Sequence, residues 1–110
     1  MMKRLLSASV VIVACAISAP GAWAQAYPVK PVRVVIPWPP GGSNDVVGRL
    51  VLQKLAQTMG QQFVVDNRAG AAGSIGAEVV AKSAPDGYTL MVHSTTHLGN
   101  GTLYKNLPYD

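Results

Sequence analysis

The sequence predicts an α/β fold built on a parallel sheet. Three observations carry this. Short β-branched runs alternate with helix-patterned segments in the order β-α-β-α-β. That alternation implies parallel strands joined by right-handed crossovers. Each strand-like run is also followed by a loop rich in Gly, Pro, Ser or Thr.

The elements follow in order. Gln25–Pro31 contains Pro28 and Pro31 and reads as an extended lead-in. Val32-Arg33-Val34-Val35-Ile36 is a buried strand stopped by Pro37, and Trp38 to Ser43 can only be loop. From Asn44 to Met59 the spacing is helical, with Val47, Leu50, Val51, Leu55 and Met59 as the expected buried stripe. Ser43 or Asn44 is the expected cap, Asp45 suits the positive end of the dipole, and Gly60 is the stop. Gln62–Asp66 is the second strand, Asn67–Gly73 a glycine-rich loop, and Ser74–Lys82 a smaller helix. Pro85-Asp86-Gly87 marks a turn. Tyr88–His93 is the third strand, and Ser94–Asn100 is a polar loop or a helix start.

Residues 1–24 differ from the rest. Lys3 and Arg4 precede an apolar run from Leu5 to Ala19, then Pro20-Gly21 and the small-x-small ending Ala22-Trp23-Ala24. These are the parts of an export signal, with the cut expected after Ala24. The run is short for a membrane span, which needs about 20 residues. A lipobox-like Ile12-Val13-Ala14-Cys15 is the lesser alternative. The net charge of +4 owes half its value to Lys3 and Arg4. The other seven bases are scattered, which argues against a nucleic-acid groove. One cysteine excludes an intrachain disulfide and a multi-cysteine metal site. Three strands and two helices make a thin core, so residues 25–110 are expected to be the opening of a longer, truncated protein.

In an open parallel sheet, ligands sit beyond the carboxyl ends of the strands. Three loops converge there: Pro39 to Asp45, Arg68 to Ser74, and Ser94-Thr95-Thr96. Glycine-exposed N–H groups, helix N-termini and hydroxyls together make a cradle for a carboxylate or other small anion. Tight turns and caps use the same residues. Neither G-x-G-x-x-G nor the phosphate-loop lysine is present. His93 and His97 lack the H-E-x-x-H glutamate, so no metal site is expected. A triad of Ser94, His97 and Asp45 has no G-x-S-x-G elbow behind it. No catalytic residue and no cofactor is therefore assigned. Trp38, between two prolines, either stacks on a ligand or packs at the lobe edge. Asp66 and Arg68 are expected to pair at the surface.

Five ordered motifs carry a resemblance. They are Tyr27-Pro28-x-Lys30-Pro31-x-Arg33, Pro37 to Gly42, Asp66 to Gly73, Ala84 to Leu90, and Leu103 to Asp110. Together they resemble the tripartite tricarboxylate transporter substrate-binding proteins, the Bug family. The resemblance implies a type II periplasmic binding protein (Venus flytrap), of which this chain matches only the start of the first lobe. It implies capture of a small organic acid or related metabolite in the periplasm and delivery to membrane permease subunits, by a monomer without enzymatic activity. Carried over residue by residue, it implicates Gly41, Gly42, Ser43 and Asn44 in the first loop. It implicates Ala71, Ala72, Gly73 and Ser74 in the second, and Thr95 and Thr96 in the third. Trp38 stands where the family more often has Phe, and Ser43-Asn44 where it has Gly-Thr or Pro-Thr. The alternative reading is a fragment of an α/β hydrolase or nucleotide-dependent enzyme using the same strand-end loops.

Overall fold

The computed structural model describes residues 26–109. The export signal, its cut after Ala24, and Cys15 lie outside the described residues. Strand β1 spans Val32–Ile36, helix α1 Ser43–Met59, strand β2 Phe63–Asn67, helix α2 Ser74–Ala81, strand β3 Thr89–Met91 and helix α3 Thr96–Leu103. A single 3-10 turn, Ala71–Gly73, precedes α2.

The three strands form one parallel sheet in the order β2-β1-β3. The expected parallel pairing is therefore present. β1 lies in the middle, which is why its valines and Ile36 are almost wholly buried. Its side chains alternate between faces. Val32 and Val34 form the main core with Leu52 of α1, joined by Leu55, Phe63, Val65, Tyr88 and Val92. Pro37 points to the opposite face, where Gly76 of α2 sits against it. The helices thus cover opposite faces, and the chain reverses direction across the sheet at β1. Loops at a switch point of this kind diverge and leave a crevice at the strands' carboxyl ends.

Three expectations need correction. The stripe that α1 buries is Asp45, Gly48 and Leu52, whereas Val47, Leu50 and Val51 are exposed. Gly48 decides this. A Cβ there would lie 3.0 Å from Ile36 Cδ1, so the glycine lets the helix approach the sheet without displacing that methyl. Neither Ser43 nor Asn44 caps α1. Gly42 occupies the cap position without a side-chain bond, and the Asp45 carboxylate reaches back to the Gly41 N–H at 2.9 Å. β3 spans only Thr89–Met91, although the Tyr88 carbonyl and the Val92 N–H on either side still bond to Arg33 and Val35 of β1. Ser94–Asn100 leads into α3, the helix start that its sequence offered beside a loop. Gly60, with φ of +67°, does end α1 as expected.

The lead-in is tied down at the far end of the sheet from the crevice. Tyr27 donates its hydroxyl hydrogen to the Gly87 carbonyl, and the Val29 N–H donates to the Tyr88 hydroxyl at 3.0 Å. Lys30 lies 4.4 Å from the Tyr88 ring centroid.

Candidate functional site

The first and third loops meet. Trp38, Pro39, Gly42, Ser43, Asn44, Ser94 and Thr96 line a cleft of about 370 Å³. Four residues read from the sequence, Gly42, Ser43, Asn44 and Thr96, are thereby brought together. Gly41, Thr95 and the whole second-loop set of Ala71, Ala72, Gly73 and Ser74 do not line it.

The backbone donors are distributed differently from the expectation. The Gly41 N–H is held by Asp45 Oδ2, and the Gly42 N–H points to the Pro39 carbonyl at 3.3 Å. The Gly73 N–H donates to the Gly70 carbonyl at 2.9 Å, and the Ser74 N–H to the Ala71 carbonyl. Glycine at these positions therefore shapes turns, with the N–H groups bonded internally. The donors left for a ligand are those of the first turn of α1, at Ser43 and Asn44, where a helix leaves its N–H groups without intrahelical partners. On the opposite wall, Ser94 Oγ lies 3.1 Å from Thr96 Oγ1. If Ser94 donates to Thr96, the Thr96 hydroxyl keeps its own hydrogen for the cleft.

Asp45 is the residue that sequence reasoning undervalued. It is 3% exposed and accepts three hydrogen bonds of 2.9 Å, from the Gly41 N–H, Arg49 Nε and Asn67 Nδ2. Asn67 Nδ2 also donates to the Trp38 carbonyl at 3.0 Å, and the Arg49 guanidinium reaches Asn67 Oδ1 at 3.1 Å. The first loop is thus fastened at Trp38 and at Gly41. Arg49, with Gly41 and Asn67, holds the Asp45 carboxyl at a pKa of about 2. The Arg49 cation also offsets the negative charge that Asp45 places near the helix N-terminus. The only available sequence signal was an acid in the first turn of α1.

The second loop is shaped from below. Ala71 and Ala72 adopt φ of +46° and +52°, a left-handed conformation unfavourable for residues with a Cβ. Asn100 of α3, 0% exposed, donates from Nδ2 to the Ala72 carbonyl at 3.2 Å. Nearby, Arg33 and Arg68 both bind Asp66, so the expected Asp66–Arg68 pair has a third member. Arg33 is the larger influence holding the Asp66 carboxyl below its usual range.

The rival chemistries can be read from the same geometry. Ser94, His97 and Asp45 do not assemble as a triad. Asp45 is bound to Arg49 and Asn67, Ser94 faces Thr96, and His97 Nδ1 faces the Tyr109 hydroxyl at 3.4 Å. The His93 and His97 rings do come together, at 4.7 Å between centroids. Among the described residues no group of three or more His, Cys, Asp or Glu side chains is placed to hold a metal ion.

Solved proteins with this arrangement belong to the class of periplasmic transport and binding proteins. A structure described as a periplasmic transporter matches 77% of this chain at 46% identity with a TM-score of 0.72, and 29% of its own chain is covered. An R. palustris protein solved with adipate matches 76% of this chain at 36% identity with a TM-score of 0.66, with 28% of that chain covered. Protein BugT of Bordetella pertussis is 44% identical over 98% of this chain. The model of the tripartite tricarboxylate transporter family receptor (TctC) matches residues 47–110, and the chain belongs to that family. It is a family of solute receptors rather than of enzymes. The chain spans about a third of the length of BugT.

Proposed function

We propose that this chain is the opening part of the first lobe of a periplasmic solute-binding protein that captures a small organic anion, a carboxylate, for a tripartite tricarboxylate-type transporter. The observation that carries this reading is the pairing of the α1 N-terminus at Ser43 and Asn44 with the hydroxyls of Ser94 and Thr96 across one cleft. N–H groups and hydroxyls stabilise a carboxylate without providing a nucleophile, which suits reversible capture. Adipate in the R. palustris relative supports a dicarboxylate as the ligand class. Export by the leader through Ala24 supplies the compartment, and closure of two lobes around the ligand supplies the mechanism of capture. Permease subunits are the partners that the family reading implies, with the receptor acting as a monomer.

The cleft residues Gly42, Ser43, Asn44 and Thr96 are assigned to ligand contact. Gly41, Ala71, Ala72, Gly73, Ser74 and Thr95 are assigned to the supporting loops. A chimera tests the reading. Residues 26–109 replace the matching segment of the R. palustris adipate-binding relative, and adipate is titrated by calorimetry. Retained binding that is lost in Thr96→Val supports the assignment. A folded chimera that gives no heat with adipate overturns it.

A further inference from the structure

Among the described residues, three buried side-chain polar atoms have no hydrogen-bond partner: Trp38 Nε1, His93 Nε2 and Asn100 Oδ1. All three residues border the strand-end loops. Trp38 belongs to the first, His93 opens the third, and Asn100 holds the second through the Ala72 carbonyl. Buried polar atoms are normally paired, so a group of exceptions in one place calls for a physical reason.

His93 is the common neighbour. Its ring meets that of Trp38 in a T-shaped arrangement, at 5.9 Å between centroids and an interplanar angle of 75°. Its other side lies against Gly73. A Cβ on Gly73 would fall on the imidazole, 2.8 Å from Cε1 and closer still to Nε2. Nδ1 lies 2.8 Å from the Ser94 N–H and 3.1 Å from the Ser94 carbonyl, so both of its partners are on the Ser94 backbone. Nε2 has no well-formed hydrogen bond and lies against Gly73, so the ring is held there by contact with Gly73 and Trp38. Trp38 in turn lines the cleft beside Gly42 and Asn44.

We propose that His93 is a positioning residue for the cleft, its ring transmitting the position of the second loop at Gly73 to Trp38 at the mouth of the first. The inference deepens the carboxylate reading and rests on it for its functional sense. It gives a loop whose own residues do not line the cleft a route by which to affect ligand affinity. It also gives Gly73 a second requirement besides its φ of +87°: the space where a side chain would stand is filled by an imidazole.

The test uses the full chain with Trp23→Phe, which leaves Trp38 as the single tryptophan. Gly73→Ala is expected to red-shift Trp38 emission and speed its quenching by acrylamide, as is His93→Ala. Adding Gly73→Ala to His93→Ala is expected to change neither reading further. His93→Phe, which keeps a ring against the indole, is expected to retain the parent emission. Unchanged emission in Gly73→Ala overturns the proposal, and so does an equal shift when His93 is already Ala. Should Gly73→Ala lose its far-UV circular dichroism, the His93→Ala and His93→Phe pair decides, and identical emission in the two overturns the proposal. These readings need no ligand. A chimera that fails to bind adipate while the emission pattern holds removes the carboxylate reading and leaves the coupling standing.

Discussion

Asp45 and Asn67 stand 22 residues apart in the chain and are joined by a 2.9 Å hydrogen bond, carboxylate to amide. The bond ties the start of α1 to the end of β2. Because Asn67 Nδ2 also reaches the Trp38 carbonyl, one amide fixes both sides of the first loop.

Asn67→Ala removes the donor shared by Asp45 Oδ1 and the Trp38 carbonyl. Leaving partly buried acceptors unpaired costs on the order of 1–3 kcal/mol. Urea unfolding of the full chain is expected to show a lower midpoint with an unchanged slope. Asp45→Ala is expected to lower the midpoint further, because it strips partners from the Gly41 N–H and Arg49 as well.

Acid tests the same network. Asp45 titrates at about 2 in the folded chain against an ordinary 3.8. The folded state therefore binds this proton less readily than the unfolded chain. Its contribution to stability is complete above 3.8 and is lost as pH falls toward 2. Urea midpoints measured down through this range are expected to fall less steeply in Asp45→Asn than in the parent. Asp66, held down by Arg33, supplies part of the slope that remains.

The face that α1 presents to the sheet can be tested by charge. Leu50→Glu and Val47→Glu fall on the exposed side and are expected to cost no more than about 0.5 kcal/mol. Leu52→Ala empties a core position and is expected to cost about 2–5 kcal/mol. Denaturation midpoints that ranked these variants the other way would return the buried face to Val47, Leu50 and Val51.

Two helical glycines separate by what surrounds them. At Gly76 a Cβ would lie 2.6 Å from Pro37 Cβ and 3.1 Å from the Arg68 carbonyl, both rigid neighbours. Gly76→Ala is expected to destabilise by about 1–3 kcal/mol, outweighing the gain in helix propensity of about 1 kcal/mol. At Gly48 the nearest atom is the terminal methyl of Ile36, which can rotate, so Gly48→Ala is expected to cost less. Thermal unfolding of the two variants side by side gives the order.

Much of the fold was legible because it is written locally. The run Val32–Ile36, the stop at Gly60 and the alternation of elements each depend on neighbours in sequence. The buried face of α1 was not legible, because Val46, Val47, Leu50, Val51, Leu52 and Leu55 make the helix apolar around most of its circumference. A missing side chain at Gly48 breaks the tie, and hydrophobic periodicity gives weight only to side chains that are present. In the site, Ser43, Asn44 and Thr96 followed from turn chemistry at strand ends. The Asp45–Asn67 bond and the contact of His93 with Gly73 join distant residues, and nothing in their local sequence marks them. The glycine N–H groups misled for a related reason, since exposure of a backbone donor does not say whether the chain itself will fill it.

The order β2-β1-β3 gives the sheet two outer strands, each with a strand neighbour on one side only among the described residues. The other side of each strand is a row of backbone donors and acceptors in register. Val64 on β2 and Leu90 on β3 are exposed beside those rows, and neither strand carries a lysine or a proline to discourage pairing. Such rims recruit further strands from whatever polypeptide is nearby. Wherever these rims stay uncovered, concentration becomes a structural variable, because the sheets of neighbouring molecules can then pair edge to edge.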